Sequence, residues 1–506
     1  MSLRLVRSYP KLLLLILAGA GLRAAPETID VGSRKQLFVD ERFIESSHGV
    51  RLTMNPPWQD RRILLKPDQT WEGPGRGGSI GLYSSVLREN GKTRLWYDQR
   101  QYGEDRFPDV LRVCYAESED GLSFVKPRLG LHDSGGSRQN NIVIPGKVGG
   151  SSVWIDPYAP PEHRYKTQAK VYPSAELHLH TSPDGIRWKL FAKLDPGPGG
   201  WDTQSIIFWD PPSSRYLLFT RYWTQFDDRN RNFRSVRRLE SPDLLHWTNQ
   251  SIVVGPDAVD RATHATPTGQ PPVDYYGADV FRYEEADQVY VMLAQAFWHW
   301  KPRPPVSGLG PSAMDVRLLV SRDGKQFRRV GNREAFLRMG PPGGFDSARV
   351  WALPHPVRMG DELWIYYNGS NRDHDSQLDS ESSSHRTGIS RAVLRLDGFV
   401  SVDAPYEGGQ FTTPPIRFGG SQLELNLDTG GGGEARVEVL DQTGQPVPGF
   451  SRDEALPLNG NSVRLPVRWK GEPDLKKLAG ESVRLRFHLQ DCKLYAFQFK
   501  EMDGPN

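Results

Sequence analysis

Apolar residues along this chain fall mostly in short runs that end at turn-forming residues. Residues 82–87 are followed by the aromatic run 94–97, and residues 349–353 by 363–367. Long stretches with the period of an amphipathic helix are missing. Short apolar and aromatic runs bounded by Gly, Pro and Asp are typical of β-strands, so the pattern predicts an all-β fold.

A motif of the form Ser-x-Asp-(Gly or Leu)-x-x-aromatic recurs along the chain. Four copies begin at Ser118, Ser182, Ser241 and Ser321, and a decayed fifth copy begins at Leu396. The spacing of roughly 60 to 80 residues is that of four strands with their loops.

The same order of elements precedes each copy, namely an apolar strand, a turn and an aromatic strand. The predicted strand pairs are 82–87 with 94–97, 153–155 with 165–169, 205–209 with 216–220, 279–283 with 289–294, and 349–353 with 363–367. Sheets arranged around a channel are buried on both faces, which explains why these strands do not alternate cleanly. We therefore predict a five-bladed β-propeller over residues 78–405, with residues 26–77 as an N-terminal lead-in that packs on it.

The pattern changes after the last repeat. Glycine pairs at 408–409 and 419–420 mark a boundary, and alternating strands follow it. These predicted strands are 423–427, 435–440, 462–469, 482–489 and 494–499. Several antiparallel strands in so short a segment predict a small C-terminal β-sandwich over residues 408–506.

The first residues have the features of a signal peptide. Arg4 and Arg7 precede the apolar run 12–17, and small residues follow as far as Ala24 and Ala25. The run is too short to span a bilayer, so we expect cleavage near Ala24 rather than an anchor. Residues 1–24 are thus predicted to direct secretion or export to the periplasm, and no membrane span is expected.

Charge and cysteine content narrow the function classes. The chain has 64 basic and 61 acidic residues, which does not predict binding to nucleic acid or to an anionic membrane. Its 50 glycines, 40 prolines and 14 tryptophans fit many short strands with aromatic layers between them. Cys114 and Cys492 fall in different predicted domains, so two separate buried thiols are expected. The oligomeric state is left open.

Several short segments resemble the five-bladed propeller glycoside hydrolases, the broad group that includes glycoside hydrolase families 43, 32 and 130. The chain looks most similar to an exported bacterial branch of that group. The segments are Leu37-Phe38-Val39-Asp40, Trp71-Glu72, Tyr115-Ala116, Asn140-Asn141-Ile142-Val143, Arg164-Tyr165-Lys166, Asp202-Thr203-Gln204, Ser321-Arg322-Asp323-Gly324 and Leu494-Tyr495-Ala496-Phe497. The Trp-Met-Asn-Asp-Pro-Asn-Gly, Arg-Asp-Pro and Glu-Cys signatures of family 32 do not occur, so that family's catalytic residues are not transferred to this chain.

The topology of a propeller sorts the acidic residues into two groups. Its active face is lined by the starts of the innermost strands and the ends of the second strands. The turns between the first and second strands, and the Ser-x-Asp-Gly turns, lie on the opposite face. Six acidic residues are therefore predicted to cap turns: Asp120, Asp156, Asp184, Asp210, Asp243 and Asp323.

On the active face, carboxylates are predicted to converge with arginines and aromatic residues. Glycoside cleavage needs one carboxylic acid and one carboxylate, and crowding raises the pKa of one of them. The catalytic candidates are Asp202, Asp346, Asp98 and Asp279, with Asp202 first because a strongly apolar strand follows it. The substrate-binding candidates are Glu72, Arg100, Gln204, Arg221, Tyr222, Trp298, His299 and Asn368. In the alternative interpretation each carboxylate caps a strand or pairs with an arginine, and Glu72 fixes the lead-in.

The resemblance implies an exported glycoside hydrolase that cleaves a plant or algal oligosaccharide or polysaccharide by attack of water. Arg100 and Arg221 would suit an acidic or sulfated sugar. Two alternatives stay open, a carbohydrate-binding propeller without catalysis and a sialidase-type enzyme. The sialidase repeat has one more residue between Asp and Gly, and such an enzyme needs three convergent arginines and six blades.

No cofactor is expected. The run Asp373-His374-Asp375 with Asp379 could hold a structural calcium ion, but it lacks the spacing of a known calcium loop. A solvated Ser-rich loop is the favoured interpretation there.

Overall fold

The computed structural model describes residues 27–74, 78–102, 108–174, 176–197, 201, 203–225, 232–263, 273–299, 312–374 and 385–501. These residues are almost entirely β-structure, as predicted, and the α-helix among them is α1 (Ala258–Thr263). None of the described helices is long and apolar enough to cross a bilayer. The predicted signal peptide lies outside the described residues. Short 3-10 helices are Glu41–Phe43, Thr70–Glu72, Pro161–His163, Gly331–Arg333 and Leu475–Leu478.

The first five described strands are short, and all pair with strands much later in the chain. They are β1 (Ile29–Gly32), β2 (Gln36–Leu37), β3 (Ser46–His48), β4 (Arg51–Met54) and β5 (Trp58–Gln59).

Three four-stranded antiparallel sheets follow, each with its strands in chain order. The first contains β6 (Gly78–Glu89), β7 (Lys92–Tyr102), β8 (Pro108–Ser118) and β9 (Ile142–Ile144). The second contains β10 (Val148–Ile155), β11 (Tyr165–Val171), β12 (Leu177–Ser182) and β13 (Lys189–Leu194). The third contains β14 (Ile206–Asp210), β15 (Arg215–Gln225), β16 (Asn232–Ser241) and β17 (Thr248–Val254).

The next sheet has ten strands in two groups. The first group is β18 (Val273–Arg282), β19 (Tyr290–Trp298), β20 (Met314–Ser321), β21 (Arg328–Arg329) and β22 (Ala335–Leu337). The second is β23 (Arg349–Ala352), β24 (Val357–Met359), β25 (Glu362–Ser370) and β26 (Thr387–Arg395). A single parallel bridge between Met314 and Arg349 joins the groups, and β5 adds to β26 as the outermost strand.

Apolar clusters fill the spaces between successive sheets. Trp96 of the first sheet packs in one cluster with Val153 of the second. Further clusters join the second sheet to the third, the third to β18–β20, and β18–β20 to β23–β26. The last cluster packs Tyr366 of β25 with Leu95 of β7 in the first sheet. Each sheet therefore has an apolar neighbour on both faces, which explains the continuous apolar runs of its inner strands.

The Ser-x-Asp turns are built as the repeat predicts. Asp120 accepts hydrogen bonds of 2.8 Å from the backbone N–H groups two and three residues further on. Asp184, Asp243 and Asp323 accept the equivalent pairs. These four acids satisfy the turn backbone, and their predicted capping role is confirmed.

The acids in the first turns cap backbone groups and also join neighbouring sheets. Asp156 accepts from the N–H of Tyr158 at 3.0 Å, and Asp210 from that of Ser213 at 3.1 Å, as predicted. In addition, an acid at the end of the first strand in each of the three four-stranded sheets accepts a tyrosine hydroxyl from the second strand of the next group. The pairs are Tyr165 with Glu89, Tyr216 with Asp156 (2.9 Å) and Tyr290 with Asp210 (2.5 Å).

The C-terminal strands and the N-terminal strands form one ten-stranded sheet. The C-terminal members are β27 (Val400–Ala404), β28 (Gly409–Thr412), β29 (Ile416–Phe418), β30 (Gln422–Leu440), β31 (Asn461–Pro466) and β32 (Ser482–Lys500). β1 pairs with β29, β2 with β32, β3 with β28 and β4 with β27. The lead-in therefore shares a sheet with the C-terminal strands, and the domain boundaries stay a prediction.

Alternating burial along β30 and β32 directs one side-chain face into a separate core. Phe38 from the N-terminal segment packs there against Phe411 and Phe497.

Asp397, in the decayed fifth copy of the repeat, connects three parts of the chain. This buried carboxylate accepts hydrogen bonds from Lys35 Nζ at 2.9 Å, Tyr283 hydroxyl at 2.7 Å and Asn426 Nδ2 at 3.0 Å. The residue has φ of 65°, the left-handed conformation that Asp tolerates better than most residues. This copy of the motif therefore joins β18–β26 to the last sheet and to the N-terminal segment.

The two cysteines form no disulfide. Cys114 and Cys492 are both buried and free, as predicted. Burial raises the pKa of both thiols, so both remain protonated at neutral pH.

Candidate functional site

Asp202, the first catalytic candidate, lies outside the described residues, but its neighbour Gln204 is described. The Gln204 side-chain amide donates to the carbonyl oxygen of Ser84 at 2.9 Å and to that of Ser151 at 2.7 Å. Ser84 belongs to β6 and Ser151 to β10, so Gln204 joins the innermost strands of two sheets. The segment that begins at Thr203 therefore contacts the first strands of two other sheets.

Asp98 is completely buried near the end of β7. Its carboxylate accepts hydrogen bonds of 3.1 Å from Gly150 N–H and from Ser151 Oγ, and Arg100 Nη2 lies 3.7 Å away. Burial raises the pKa of Asp98 to about 6, against the opposing charge of Arg100. A carboxyl with such a pKa holds its proton at mildly acidic pH, which a general acid requires.

Beside Asp98 lies a set of residues that we name the arginine–tyrosine cluster. Its members are Tyr83, Tyr276, Trp351, Arg100, Arg221 and Arg234.

In this cluster, each arginine lies over a tyrosine ring. The Arg100 guanidinium carbon is 5.2 Å from the centre of the Tyr83 ring. Arg221 and Arg234 lie 5.2 and 4.7 Å from the centre of the Tyr276 ring.

Trp351 holds the two tyrosines together. Its ring centroid lies 5.3 Å from that of Tyr83 and 5.8 Å from that of Tyr276. Residues of the first and third four-stranded sheets thus meet those of both groups in the β18–β26 sheet.

Asp274 is a buried carboxylate of this region that the sequence analysis missed. Its Oδ2 lies 3.2 Å from Arg234 Nη1 and 3.2 Å from His299 Nε2. The sequence analysis placed the start of the strand at residue 279, whereas β18 begins at Val273. The strand start that faces the cluster therefore carries Asp274 and Tyr276 in place of Asp279.

Asp279 lies in the middle of β18, opposite Leu293 of β19. Gln295 Nε2 donates to its Oδ2 at 2.8 Å. Burial raises the pKa of Asp279 well above its ordinary range. Its described contacts do not connect it with Asp98.

Asp346 is held by the lead-in. Its Oδ2 accepts hydrogen bonds from Arg61 Nη1 at 2.8 Å and from the Tyr367 hydroxyl at 3.0 Å, and it is 1% exposed. The approach of Gly340 is so close that a Cβ at that position would lie 1.9 Å from Asp346 Oδ1. These contacts are those of a buried ion pair, and they do not bring Asp346 to the cluster.

Glu72 is buried at the end of a 3-10 helix, and four donors reach its carboxylate. They are the N–H groups of Asp68 and Gln69 at 2.9 Å, the Tyr97 hydroxyl at 2.7 Å and Lys126 Nζ at 2.7 Å. These contacts agree with the alternative interpretation, in which Glu72 fixes the N-terminal lead-in and does not bind substrate.

Two neighbouring candidates at the end of β19, Trp298 and His299, face opposite sides of the sheet. His299 contacts Phe297 at 4.8 Å between centroids, and Phe297 lies beneath Arg234. Trp298, between them, faces Arg317 at 5.1 Å and lines a separate surface cavity of about 430 Å³. The period of two along a strand produces this split.

The other paired candidates divide in the same way. Arg221 lies in the cluster, whereas Tyr222 packs against Arg237 at 4.9 Å. Asn368 of β25 lies opposite Trp351 in register, and neither polar atom of its side chain has a hydrogen-bond partner in the described part of the chain.

The Ser-rich loop, for which calcium binding was the less favoured interpretation, is described only in part, because Asp375 and Asp379 lie outside the described residues. Asp373 accepts a hydrogen bond from Ser312 Oγ at 2.9 Å. Within the described ranges, no group of three or more His, Cys, Asp or Glu side chains is arranged to hold a metal ion.

Comparison with known proteins finds no matching family model and no matching curated protein. Solved structures do match. One is a glycoside hydrolase, at 12% identity over 67% of this chain and 92% of that chain, with a TM-score of 0.45. Another is the β-1,2-mannobiose phosphorylase of Listeria innocua, at 13% identity over 68% and 97%, with a TM-score of 0.44. The exo-inulinase of Aspergillus awamori matches at 10% identity over 86% and 99%, with a TM-score of 0.40. Enzymes of the glycoside hydrolase group that the sequence resembles thus recur among these neighbours.

Proposed function

We propose that this chain is an exported glycoside hydrolase that cleaves an acidic plant or algal glycan at the centre of a five-bladed propeller. The observation that carries the proposal is the arginine–tyrosine cluster with a buried carboxylate attached on each side. Asp98 reaches the cluster through Arg100, and Asp274 reaches it through Arg234.

Packing between the sheets supports the five-bladed arrangement. Five groups of antiparallel strands follow one another, with apolar clusters between consecutive groups. The last cluster returns to the first sheet, which is the contact that closes a ring. In such a ring the starts of the innermost strands surround a central pocket.

The two carboxylates beside the cluster suit the two roles in glycoside cleavage. Asp98, with its pKa raised to about 6, would protonate the leaving oxygen. Asp274, paired with Arg234, offers a negative charge that would act as base or nucleophile. Asp202 remains the other candidate for that second role, because it lies two residues before the central Gln204.

The charge of the cluster favours an acidic sugar. Arg100, Arg221 and Arg234 lie in it, and Arg349 is close enough for its charge to act on that of Arg100. Four guanidinium groups therefore lie in one region, and a uronic carboxylate or a sulfate would accept charge-assisted hydrogen bonds from groups of this kind.

The test is the release of reducing ends from pectic and sulfated algal polysaccharides by the wild-type chain and by Asp98→Asn. We expect the variant to lose a factor of about 100 or more in kcat, the usual contribution of a general acid, while substrate binding persists. Asp120→Asn, in a surface turn, is the matched control and should keep full activity. Equal rates for the wild type and Asp98→Asn would contradict the assignment of the acid.

A non-catalytic carbohydrate-binding propeller is the second candidate. It is favoured by the way Glu72 and Asp346 are held by other side chains. If the wild-type chain binds acidic glycans but releases no product from any of them, this function replaces the first.

A sialidase-type enzyme is the third candidate. Three arginines do converge in the cluster, as that class requires, whereas five strand groups in place of six argue against it.

A further inference from the structure

We propose that the opposite end of the central channel is a second binding site, for a neutral saccharide. A cavity of about 630 Å³ opens there, where the innermost strands end at their turns. Leu87, Trp154, Phe208, Phe281 and His355 line it, and each belongs to a different strand group or to the turn after its first strand. We name it the turn-side cavity. It is separate from the arginine–tyrosine cluster, which lies at the starts of the same strands.

An aromatic wall forms one side of this cavity. Tyr158 is 66% exposed, although it is a large aromatic residue. Its ring centroid lies 5.0 Å from that of Trp209, and the ring planes meet at 58°. The two rings are therefore tilted toward each other and not stacked face to face. Exposed aromatic faces that line a concave surface are typical of ligand sites, since they provide contact area at little conformational cost.

Buried nitrogen atoms without partners provide an independent observation. Four residues that line the cavity have a buried side-chain nitrogen with no hydrogen-bond partner in the described part of the chain: Trp154 Nε1, Trp209 Nε1, Arg282 Nε and His355 Nε2. Trp154 is 2% exposed. Buried indole N–H groups normally find an acceptor, and unsatisfied ones need an explanation. A ligand with acceptor oxygens would satisfy the two indole N–H groups and Arg282 Nε, and a hydroxyl group can either donate to or accept from His355 Nε2.

The charges at the cavity favour a neutral ligand. Arg282 and Arg358 are matched by Glu284 and Glu285, and Arg358 Nη1 lies 2.7 Å from Glu285 Oε2. Burial lowers the pKa of His355 to about 4, so its ring is uncharged at neutral pH. An anion would meet two carboxylates here, and a cation two guanidinium groups. A neutral sugar ring offers hydroxyl oxygens to the donors and a C–H face to the aromatic wall.

The experiment is saturation-transfer NMR on the full chain with the methyl glycosides of glucose, galactose, mannose, xylose and arabinose as probes. We expect at least one glycoside to bind the wild-type protein. Tyr158→Ala should weaken that binding about tenfold, as expected for the loss of one stacking ring. Trp209→Phe keeps an aromatic ring but removes the N–H donor, and should also weaken binding. Tyr406→Ala removes a ring that is 69% exposed on the C-terminal sheet and should change nothing.

Arg100→Gln separates this proposal from the proposed hydrolase activity. The variant alters the arginine–tyrosine cluster, so it should leave glycoside binding at the turn-side cavity intact. The proposal is overturned if none of the five glycosides binds. It is equally overturned if Arg100→Gln abolishes binding while Tyr158→Ala does not, because the sugar then occupies the other end. A dimer in sedimentation that Tyr158→Ala dissociates would overturn it too, since a second copy would then cover the cavity.

Discussion

The two ends of the first strands in each group, β6, β10, β14, β18 and β23, have opposite chemistry. At the strand starts, arginines and carboxylates are buried among tyrosines, as around Tyr276. At the strand ends, aromatic rings line an open cavity whose charged groups balance. In β18 these environments are eight residues apart, at Asp274 and Arg282. One regular scaffold can therefore present two different surfaces, because the residues at the strand ends are free of the packing that the strand middles need.

The largest difference should appear in stability. Trp351 is 1% exposed between Tyr83 and Tyr276, so Trp351→Ala should lower the free energy of unfolding by about 3–5 kcal/mol. Tyr158→Ala, at the turn-side cavity, should change it by less than about 0.5 kcal/mol. Urea titration followed by tryptophan fluorescence measures both. Similar losses would show that the turn-side wall is structural and remove the contrast.

The next effect is a pH dependence of stability that depends on Asp98. Its pKa is about 6 in the folded chain and has a reference value of 3.8. Between those values the folded state holds a proton that the unfolded state has lost, so stability falls as pH rises through this window. The change is on the order of 3 kcal/mol.

This pH dependence can be isolated by comparing the wild type with Asp98→Asn in urea titrations across the window. The difference between their unfolding free energies should follow the predicted slope. Parallel curves would place the folded pKa of Asp98 near its ordinary value and weaken its role as an acid.

A smaller effect concerns the charge of the substrate. Arg221→Gln should lower kcat/KM on an acidic glycan about tenfold or more, as expected for the loss of a hydrogen bond between charged groups. The rate on the same glycan with its carboxyl groups reduced to alcohols should change little. Equal losses on both substrates would indicate that Arg221 supports the fold of the cluster and does not contact the anion.

The smallest effect is the response to salt. Raising the ionic strength should weaken binding of an acidic glycan by less than about 1 kcal/mol, because the cluster is partly shielded from solvent. Binding of a neutral glycoside at the turn-side cavity should not respond at all. Binding titrations with the acidic glycan and with the neutral glycoside, each at two salt concentrations, check both expectations. A salt response of glycoside binding at the turn-side cavity would contradict the charge balance there.

Features that depend on local sequence could be predicted well. The turn acids follow from a motif in which Asp bonds to N–H groups two and three residues away, so no distant information is needed. Arg100 and Arg221 were predicted from their places at the ends of aromatic strands, and both lie in the cluster.

Features that depend on distant contacts could not be predicted. Asp274 and Gly277 interrupt the apolar pattern at the start of β18, so this part of the strand resembled a loop. Its residues are buried by the other sheets, which a local pattern does not reveal. The one-residue shift in register between Tyr275 and Gly277 also changes which side chains face the centre. The ion pair of Asp346 with Arg61 joins residues far apart in the chain, and it was foreseen only as a general alternative.

The pairing of the first strands with the last has a consequence for how the chain folds during its synthesis. Thr28 and Ser482 share a hydrogen bond across 454 positions, and β1 pairs with β29 in parallel. The N-terminal strands therefore emerge from the ribosome long before their partners exist, with unpaired edges and apolar side chains such as Phe38 uncovered. A chain that lacks its C-terminal strands would keep these edges unpaired, and we expect such a truncated chain to aggregate.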